Sequence, residues 1–287
     1  MKKRSIASPL FLTVVLLLLY LPIVVVIAYS FNNNMTKNSA LFTGFTFHWY
    51  EELFRDTRGF MDSLRVSLQL ALYSCGLSVV LGTLGAVGMA RRASAPRASA
   101  LLSGAVENLV TIPIMIPEII LGMAFMALFY AIDLPFGMVT LVIAHVTFCV
   151  PYIYLIVKGR LYGMDPSLPE AARDLGASPF RVFFDITLPL VFPGILSGAF
   201  LALAMSLDDF IISFFVNGAG TVTLPLKIYS SVKVGVSPQI NALCTVMLGI
   251  VFLCVAVSQL IGSRRRALKR KDHLSLLSAP ASSQRPL

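Results

Sequence analysis

The sequence specifies an all-α integral membrane protein with six transmembrane helices. Three observations lead there. The 287-residue chain is 57% hydrophobic and only 13% charged, with a mean hydropathy of +0.82, whereas a soluble domain is about 45–50% apolar and about 25% charged. Its apolar residues gather into six long runs, and its Lys and Arg residues lie between and beyond them. A water-soluble fold of this size has too little interior to hide so much apolar surface. That excludes a soluble enzyme, a secreted disulfide scaffold and a disordered chain.

A helix needs about 20 mainly apolar residues to cross a bilayer. The runs at 10–31, 64–90, 103–130, 136–157, 189–216 and 241–262 qualify. The first follows Lys2-Lys3-Arg4, as a signal peptide does, but it is long enough to span and no small-residue cleavage site follows directly. It reads as an uncleaved first helix. Spans 3 and 4 are separated only by residues 131–135, a tight turn around Asp133. Residues 1–271 therefore read as a single transmembrane domain. Residues 272–287, rich in Ser, Pro and Ala, read as a disordered tail.

Orientation follows from the basic residues. With the N-terminus inside, the inward segments hold 17 of the 23 Lys and Arg residues. The outward segments hold only Lys37, Arg55, Arg58, Arg65, Lys227 and Lys233. Both termini are then expected in the cytoplasm. The net charge of +9 is a topology signal, not a nucleic-acid surface. Cys75, Cys149, Cys244 and Cys254 all fall within apolar runs and lack metal-ligand spacing, so they read as small buried hydrophobes.

Three connecting segments are long enough to carry function. The outward segment 32–62 contains Phe47-His48-Trp49-Tyr50-Glu51-Glu52, an aromatic cluster suited to a short amphipathic interfacial helix. The inward segment 158–188 places Ser167 three residues before Glu170, a capping box with Pro169 in the first turn. The helix then runs to Leu175, and Gly176 suits a left-handed stop. Ser178 is a second N-cap with Pro179 at the first helical position, and this second helix is expected to end near Asp185. The third segment is the outward loop 217–240. Two capped helices bent at a glycine are either a surface hairpin joining spans 4 and 5 or a rigid knob for a soluble partner.

In that inward segment Glu170-Ala171-Ala172, then Gly176, Ile186 and Leu188-Pro189 match the pattern E-A-A, three residues, G, nine residues, I, one residue, L-P. This resembles the EAA loop of ABC importer permeases. The resemblance implies the type I ABC importer permease fold, with Glu170, Ala171, Ala172, Gly176, Leu188 and Pro189 in a coupling helix that docks into a cytoplasmic ATPase. Further strings resemble the second permease subunit of spermidine/putrescine importers. They are Tyr20-Leu21-Pro22-Ile23, Ser206-Leu207-Asp208-Asp209-Phe210, Leu224-Pro225-Leu226-Lys227-Ile228-Tyr229-Ser230 and the stretch from Val234 to Leu243. The resemblance implies a bacterial inner-membrane location and inward movement of a polyamine. It also implies a sister permease, two copies of an ABC ATPase and an external solute-binding protein as partners. ATP and Mg²⁺ belong to the ATPase, and no cofactor is expected in this chain.

The chemistry inside the membrane is acidic. No G-x-x-x-x-G-K-[ST] phosphate loop occurs, no nucleophile is paired with a base, and His48, His145 and His273 are isolated. Neither a catalytic nor a metal site is expected, and His145 reads as a satisfied packing residue. A charge at mid-bilayer costs about 2.5–3.5 kcal/mol on insertion scales, so buried acids face a cavity or a partner. Glu107 lies near the inward end of span 3 and can reach the interface. Glu118 follows Pro113 and Pro117, where a bend frees backbone carbonyls; it either stabilises the kink or lines a cation path. Adjacent Asp208 and Asp209 point about 100° apart on a helix. Asp209 shares a strip with Ser206 and Ser213, and Asp208 one with Ala204, Ile211 and Phe215. Ammonium groups are met by carboxylates and aromatic faces, which adds Tyr20 to Asp208, Asp209 and Glu118 as the pathway candidates. At least one aspartate is expected to contact substrate, and the other to fix span 5 against its neighbours. Two other readings share these features. One is a permease of the same architecture for an amino acid, thiamine or ferric ion. The other is an ATP-independent carrier, which has no use for a capped inward loop.

Overall fold

The computed structural model describes residues 7–34, 41–55, 59–92, 97–235, 237–253 and 256. In chain order the helices are α1 (Ala7–Tyr29), α2 (His48–Phe54), α3 (Phe60–Arg92), α4 (Arg97–Met115), α5 (Glu118–Ala131), α6 (Met138–Tyr162), α7 (Ser167–Asp174) and α8 (Pro179–Arg181). A π-helical turn at Val182–Thr187 leads into α9 (Leu188–Asp208), followed by α10 (Ile211–Val216) and α11 (Leu224–Val234). The last is α12 (Pro238–Leu253). Among the described residues four helices are long and apolar enough to cross a membrane, and the bent pair α4–α5 makes a fifth candidate. The sixth expected span begins in α12; its residues 254–255 and 257–262, and the tail 272–287, lie outside the described residues.

The contacts divide the chain into two units, Met1–Thr57 with Val232–Leu287, and Arg58–Ser231. In the first, α1 has a mean hydropathy of 3.1 and no buried face, as suits a helix surrounded by lipid or partner helices. The expected aromatic helix of the segment 32–62 is α2. It is tied down rather than loose: Trp49 is buried and its indole N–H donates to the Asn32 carbonyl at 2.7 Å. The Tyr50 and Ser30 hydroxyls lie 2.7 Å apart, and Phe31 stacks on Phe45.

The second unit is built on α3, α6 and α9. Glycines let these helices approach closely, the usual device where lipid offers no hydrophobic drive between helices. A Cβ at Gly82 of α3 would lie 2.9 Å from Ile153 of α6, and one at Gly198 of α9 would lie 3.4 Å from the same side chain. Ile153 is thus wedged between two glycine faces. Leu70, Cys149, Val157, Val191 and Ala202 complete the core around it. Cys149 is buried with its thiol toward the Ala202 carbonyl, and Cys75 and Cys244 are also free thiols. Cys254 lies outside the described residues.

Two spans are broken. The bend expected near Glu118 is a 106° break between α4 and α5. Pro117 has no N–H to continue the ladder and sits extended at ψ 133, while its carbonyl accepts from Leu121 to start α5. Span 5, expected to be continuous from 189 to 216, stops at Asp208 and restarts at Ile211. Asp209 leaves the helical region at ψ 125, because its carboxylate serves as acceptor for the next helix.

The segment 158–188 also differs from expectation. The capping box of Ser167 and Glu170 does not form. Ser167 is already helical, and Asp165 Oδ1 accepts its N–H at 2.9 Å. That bond holds the Asp165 carboxyl below its ordinary range, so the cap is present at neutral pH and lost as the pH falls through the lowered value. The second helix does not end near Asp185. From Pro179 the helix runs on to Asp208. Pro189 cannot donate to the Asp185 carbonyl, and the π turn at Val182–Thr187 widens the ladder there instead of ending it.

Gly82→Ala is expected to lower the melting midpoint of the purified protein, with overpacking of about 1–3 kcal/mol. Gly88→Ala, where nothing lies within 4 Å of the added carbon, should leave it unchanged. Thermal unfolding in one detergent measures both.

Candidate functional site

The break in span 5 organises a buried polar network. Ile212 and Ser213 donate their backbone N–H groups to the two oxygens of Asp209 at 3.1 and 2.8 Å, which caps α10 as a side-chain acceptor should. The Asp209 side chain is only 4% exposed, and His145 Nε2 of α6 lies 3.3 Å from Oδ2. A carboxylate only accepts, so Nε2 carries the proton in that pair. The same nitrogen is 3.1 Å from Ser213 Oγ. On the other side of the ring, Nδ1 pairs with Ser206 Oγ of α9 at 2.8 Å. Ser206 in turn lies 3.1 Å from Ser74 Oγ of α3, which donates to the Leu70 carbonyl at 2.7 Å. One imidazole therefore joins the three core helices to the broken span.

Asp208 has a different setting. It is exposed at the last helical position of α9, and among the described residues its carboxylate has no hydrogen bond or ion pair. The following segment is aromatic: the Phe210 ring lies 4.6 Å from that of Tyr229 and 5.8 Å from that of Phe214. Glu118 is exposed at the first position of α5, where a carboxylate complements the helix dipole. α5 in turn packs on α10, with Gly122 against Phe215 and Ile212. The structure thus brings the helix that begins at Glu118 against the helix capped by Asp209. Tyr20 belongs to the first unit, half exposed on α1.

In the segment 158–188 Glu170 and Ala171 are exposed and Ala172 is half-buried on α7. Gly176 adopts φ +82. Its N–H donates to the Arg173 carbonyl and that of Ala177 to Ala172, both at 2.9 Å, the two bonds of a Schellman stop. Leu188 and Pro189 lie in the first turn of α9, beyond the π turn. Beneath α7 is a cavity of about 270 Å³ bordered by Pro169, Glu170, Arg173 and Thr187. Nearby, Glu107 of α4 is paired with Lys158 of α6.

Sequence reasoning missed Ser74, the linking role of His145, and the Glu107–Lys158 pair. A lone serine on an apolar helix carries no local signal. His145 and Asp209 are 64 residues apart, and only the packing of α6 on α9 brings them together.

Residues 79–266 match the family model described as "Binding-protein-dependent transport system inner membrane component". Over 260 residues the chain is 38% identical to the putrescine transport system permease protein PotI of Escherichia coli K12, covering 88% of this chain and 90% of that protein. Over 251 residues it is 36% identical to the spermidine/putrescine transport system permease protein PotC of Haemophilus influenzae Rd, covering 88% and 94%. Its fold is similar to that of a bacterial ABC transporter involved in the import of the acidic polysaccharide alginate, with a TM-score of 0.69 at 14% identity over 88% of this chain and 95% of that one. It is also similar to the MetNI methionine ABC transporter in its inward-facing form, with a TM-score of 0.56 at 24% identity over 76% and 97%.

Asp209→Ala removes the α10 cap and leaves the buried His145 without its carboxylate partner. The cap alone contributes about 0.5–2 kcal/mol. Asp209→Asn keeps one acceptor oxygen. The alanine variant is expected to melt earlier than the asparagine variant, and both earlier than the parent, in thermal unfolding at neutral pH.

Proposed function

This chain belongs to the family of binding-protein-dependent transport system inner membrane components, and from that membership we propose that it is the permease subunit of an ABC importer for polyamines such as putrescine and spermidine. It forms part of the membrane path and does not itself hydrolyse ATP. Its partners are a sister permease, two copies of an ATPase that holds ATP and Mg²⁺, and an external solute-binding protein. Both termini face the cytoplasm, which puts α7 on the ATPase side.

The observation that carries the substrate reading is the unpaired carboxylate of Asp208, exposed at the end of α9 next to an acid that is already engaged. Asp209 is committed to the α10 cap and to His145, so of the two it serves position and Asp208 serves the substrate. An amine cation passing this level replaces part of its lost hydration with that carboxylate and with aromatic faces in the segment that follows. Glu118 supplies a further contact along the route. Relatives named for putrescine and spermidine transport support the same substrate class. On the inward side, the Schellman stop at Gly176 makes α7 a rigid peg. Glu170, Ala171 and Ala172 seat it in the ATPase, and Leu188 and Pro189 carry the motion into α9.

The test is uptake by the four-part complex in proteoliposomes with its binding protein. Putrescine and spermidine should be taken up with ATP inside, and amino acids, thiamine and ferric ion should not; uptake of one of those instead overturns the polyamine reading. Asp208→Asn should assemble normally and lose about ten- to a hundredfold in uptake, the roughly 1.5–3 kcal/mol of a hydrogen bond to a charged group. Parental uptake in that variant removes Asp208 from the path. Gly176→Val forces a β-branched residue into a left-handed conformation at a cost of about 1–2 kcal/mol. Co-purification of the ATPase and uptake should both fall, while the permease pair stays intact.

A further inference from the structure

Lys158 is held in a cage that its own chemistry does not require. Tyr154, Lys158 and Tyr162 follow one another at four-residue spacing on α6, so they share a face. The Lys158 ammonium is paired with the Glu107 carboxylate of α4. It lies 5.7 Å from the centre of the Tyr154 ring and 5.5 Å from that of Tyr162, both within the range of cation–π attraction. Tyr154 is buried and Tyr162 exposed. The Lys158 side chain is 16% exposed and that of Glu107 37%, so the cage is closed on one side and open on the other. A structural ion pair needs one acid and one base; two aromatic faces add recognition of the cation itself.

The occupant is informative. A lysine side chain is a flexible four-carbon stem ending in an ammonium. Putrescine is a four-carbon stem with an ammonium at each end, and spermidine carries the same aminobutyl unit. A cage that fits the end of a lysine therefore fits the end of these amines. We propose that Glu107, Tyr154 and Tyr162 form a binding site for one ammonium end of the transported amine, and that Lys158 is its tethered competitor. This rests on the reading of the chain as a polyamine permease. With no amine present, Lys158 neutralises Glu107. An arriving amine displaces it, and Lys158 then returns and expels the amine. At every stage the carboxylate faces one cation, which avoids the cost of an unpaired charge at the edge of the membrane. A tether of this length gives the lysine an effective concentration in the millimolar range or above, so the substrate is not retained.

The experiment uses the complete complex in lipid nanodiscs, without the external binding protein, and measures equilibrium binding of radiolabelled putrescine. Lys158→Met removes the competitor and keeps the stem, and putrescine binding is expected to tighten by about tenfold or more. In proteoliposomes the same variant should show KM and kcat falling together, because release becomes slow. Lys158→Gln, which keeps a hydrogen-bond donor for Glu107, should behave alike. Adding Glu107→Gln to either variant should abolish the gained binding. Parental binding in both single variants overturns the proposal. Failure of both to assemble also overturns it, since the pair is then structural. Uptake of putrescine by the parent complex separates the two levels: without it the polyamine reading itself falls, and with it only this inference is at stake.

Discussion

A carboxylate inside a membrane span must be answered by donors from the protein, and the second unit is arranged around that requirement at Asp209. Two backbone N–H groups and one imidazole meet it. The N–H groups are available only because the helix stops there and begins again, since the first turn of a helix leaves its N–H groups without partners. The break and the acid therefore explain each other. Without the break Asp209 is a costly charge; without the acid, α10 starts with unsatisfied backbone in an apolar setting. His145 extends the arrangement sideways through Ser206 to Ser74. The position of the break is thereby fixed relative to α3 and α6, and Ile153 of α6 is itself wedged between the glycine faces of α3 and α9.

The sequence shows this architecture unevenly. Spans α1, α3 and α6 are legible because hydropathy over about 20 residues is a strong signal. The bend before Glu118 is legible because proline removes a backbone donor whatever its surroundings. Gly176 is legible for a similar reason: a left-handed stop wants a glycine. Interactions that depend on which residue wins a local competition were misread. Asp165 caps α7 because it lies two residues before Ser167 and reaches the N–H first, leaving Ser167 and Glu170 without the roles their spacing suggests. The break at Asp209 escapes helical periodicity altogether. Asp209, Ser206 and Ser213 do share one neighbourhood, but through His145 and a capped restart rather than along one unbroken strip.

The two neighbouring acids show how far position alone separates roles. Asp208 ends a helix and keeps an exposed carboxylate, while Asp209, one residue on, turns inward and is saturated by donors. Adjacent positions at a helix end already point about 100° apart, and the turn of the chain after Asp209, at ψ 125, brings the N–H donors of the next helix to Asp209 alone. The pair thus joins a fixed charge to an available one at the same depth. Such an arrangement lets the available charge be held in place by its neighbour rather than by bonds of its own.

The unbroken run from Pro179 to Asp208 has a mechanical consequence. Thirty residues of helix make a rod about 45 Å long, with the loop of α7 at one end and the acidic break at the other. A tilt of about 5° at one end of such a rod moves the other by about 4 Å, roughly the spacing between a carboxylate and the ammonium it holds. The wider π turn near the loop end is the place where the rod can twist without losing its length. A displacement at the α7 end is thereby passed along one helical run, through the π turn and the interior Pro193, to the level where the chain next breaks.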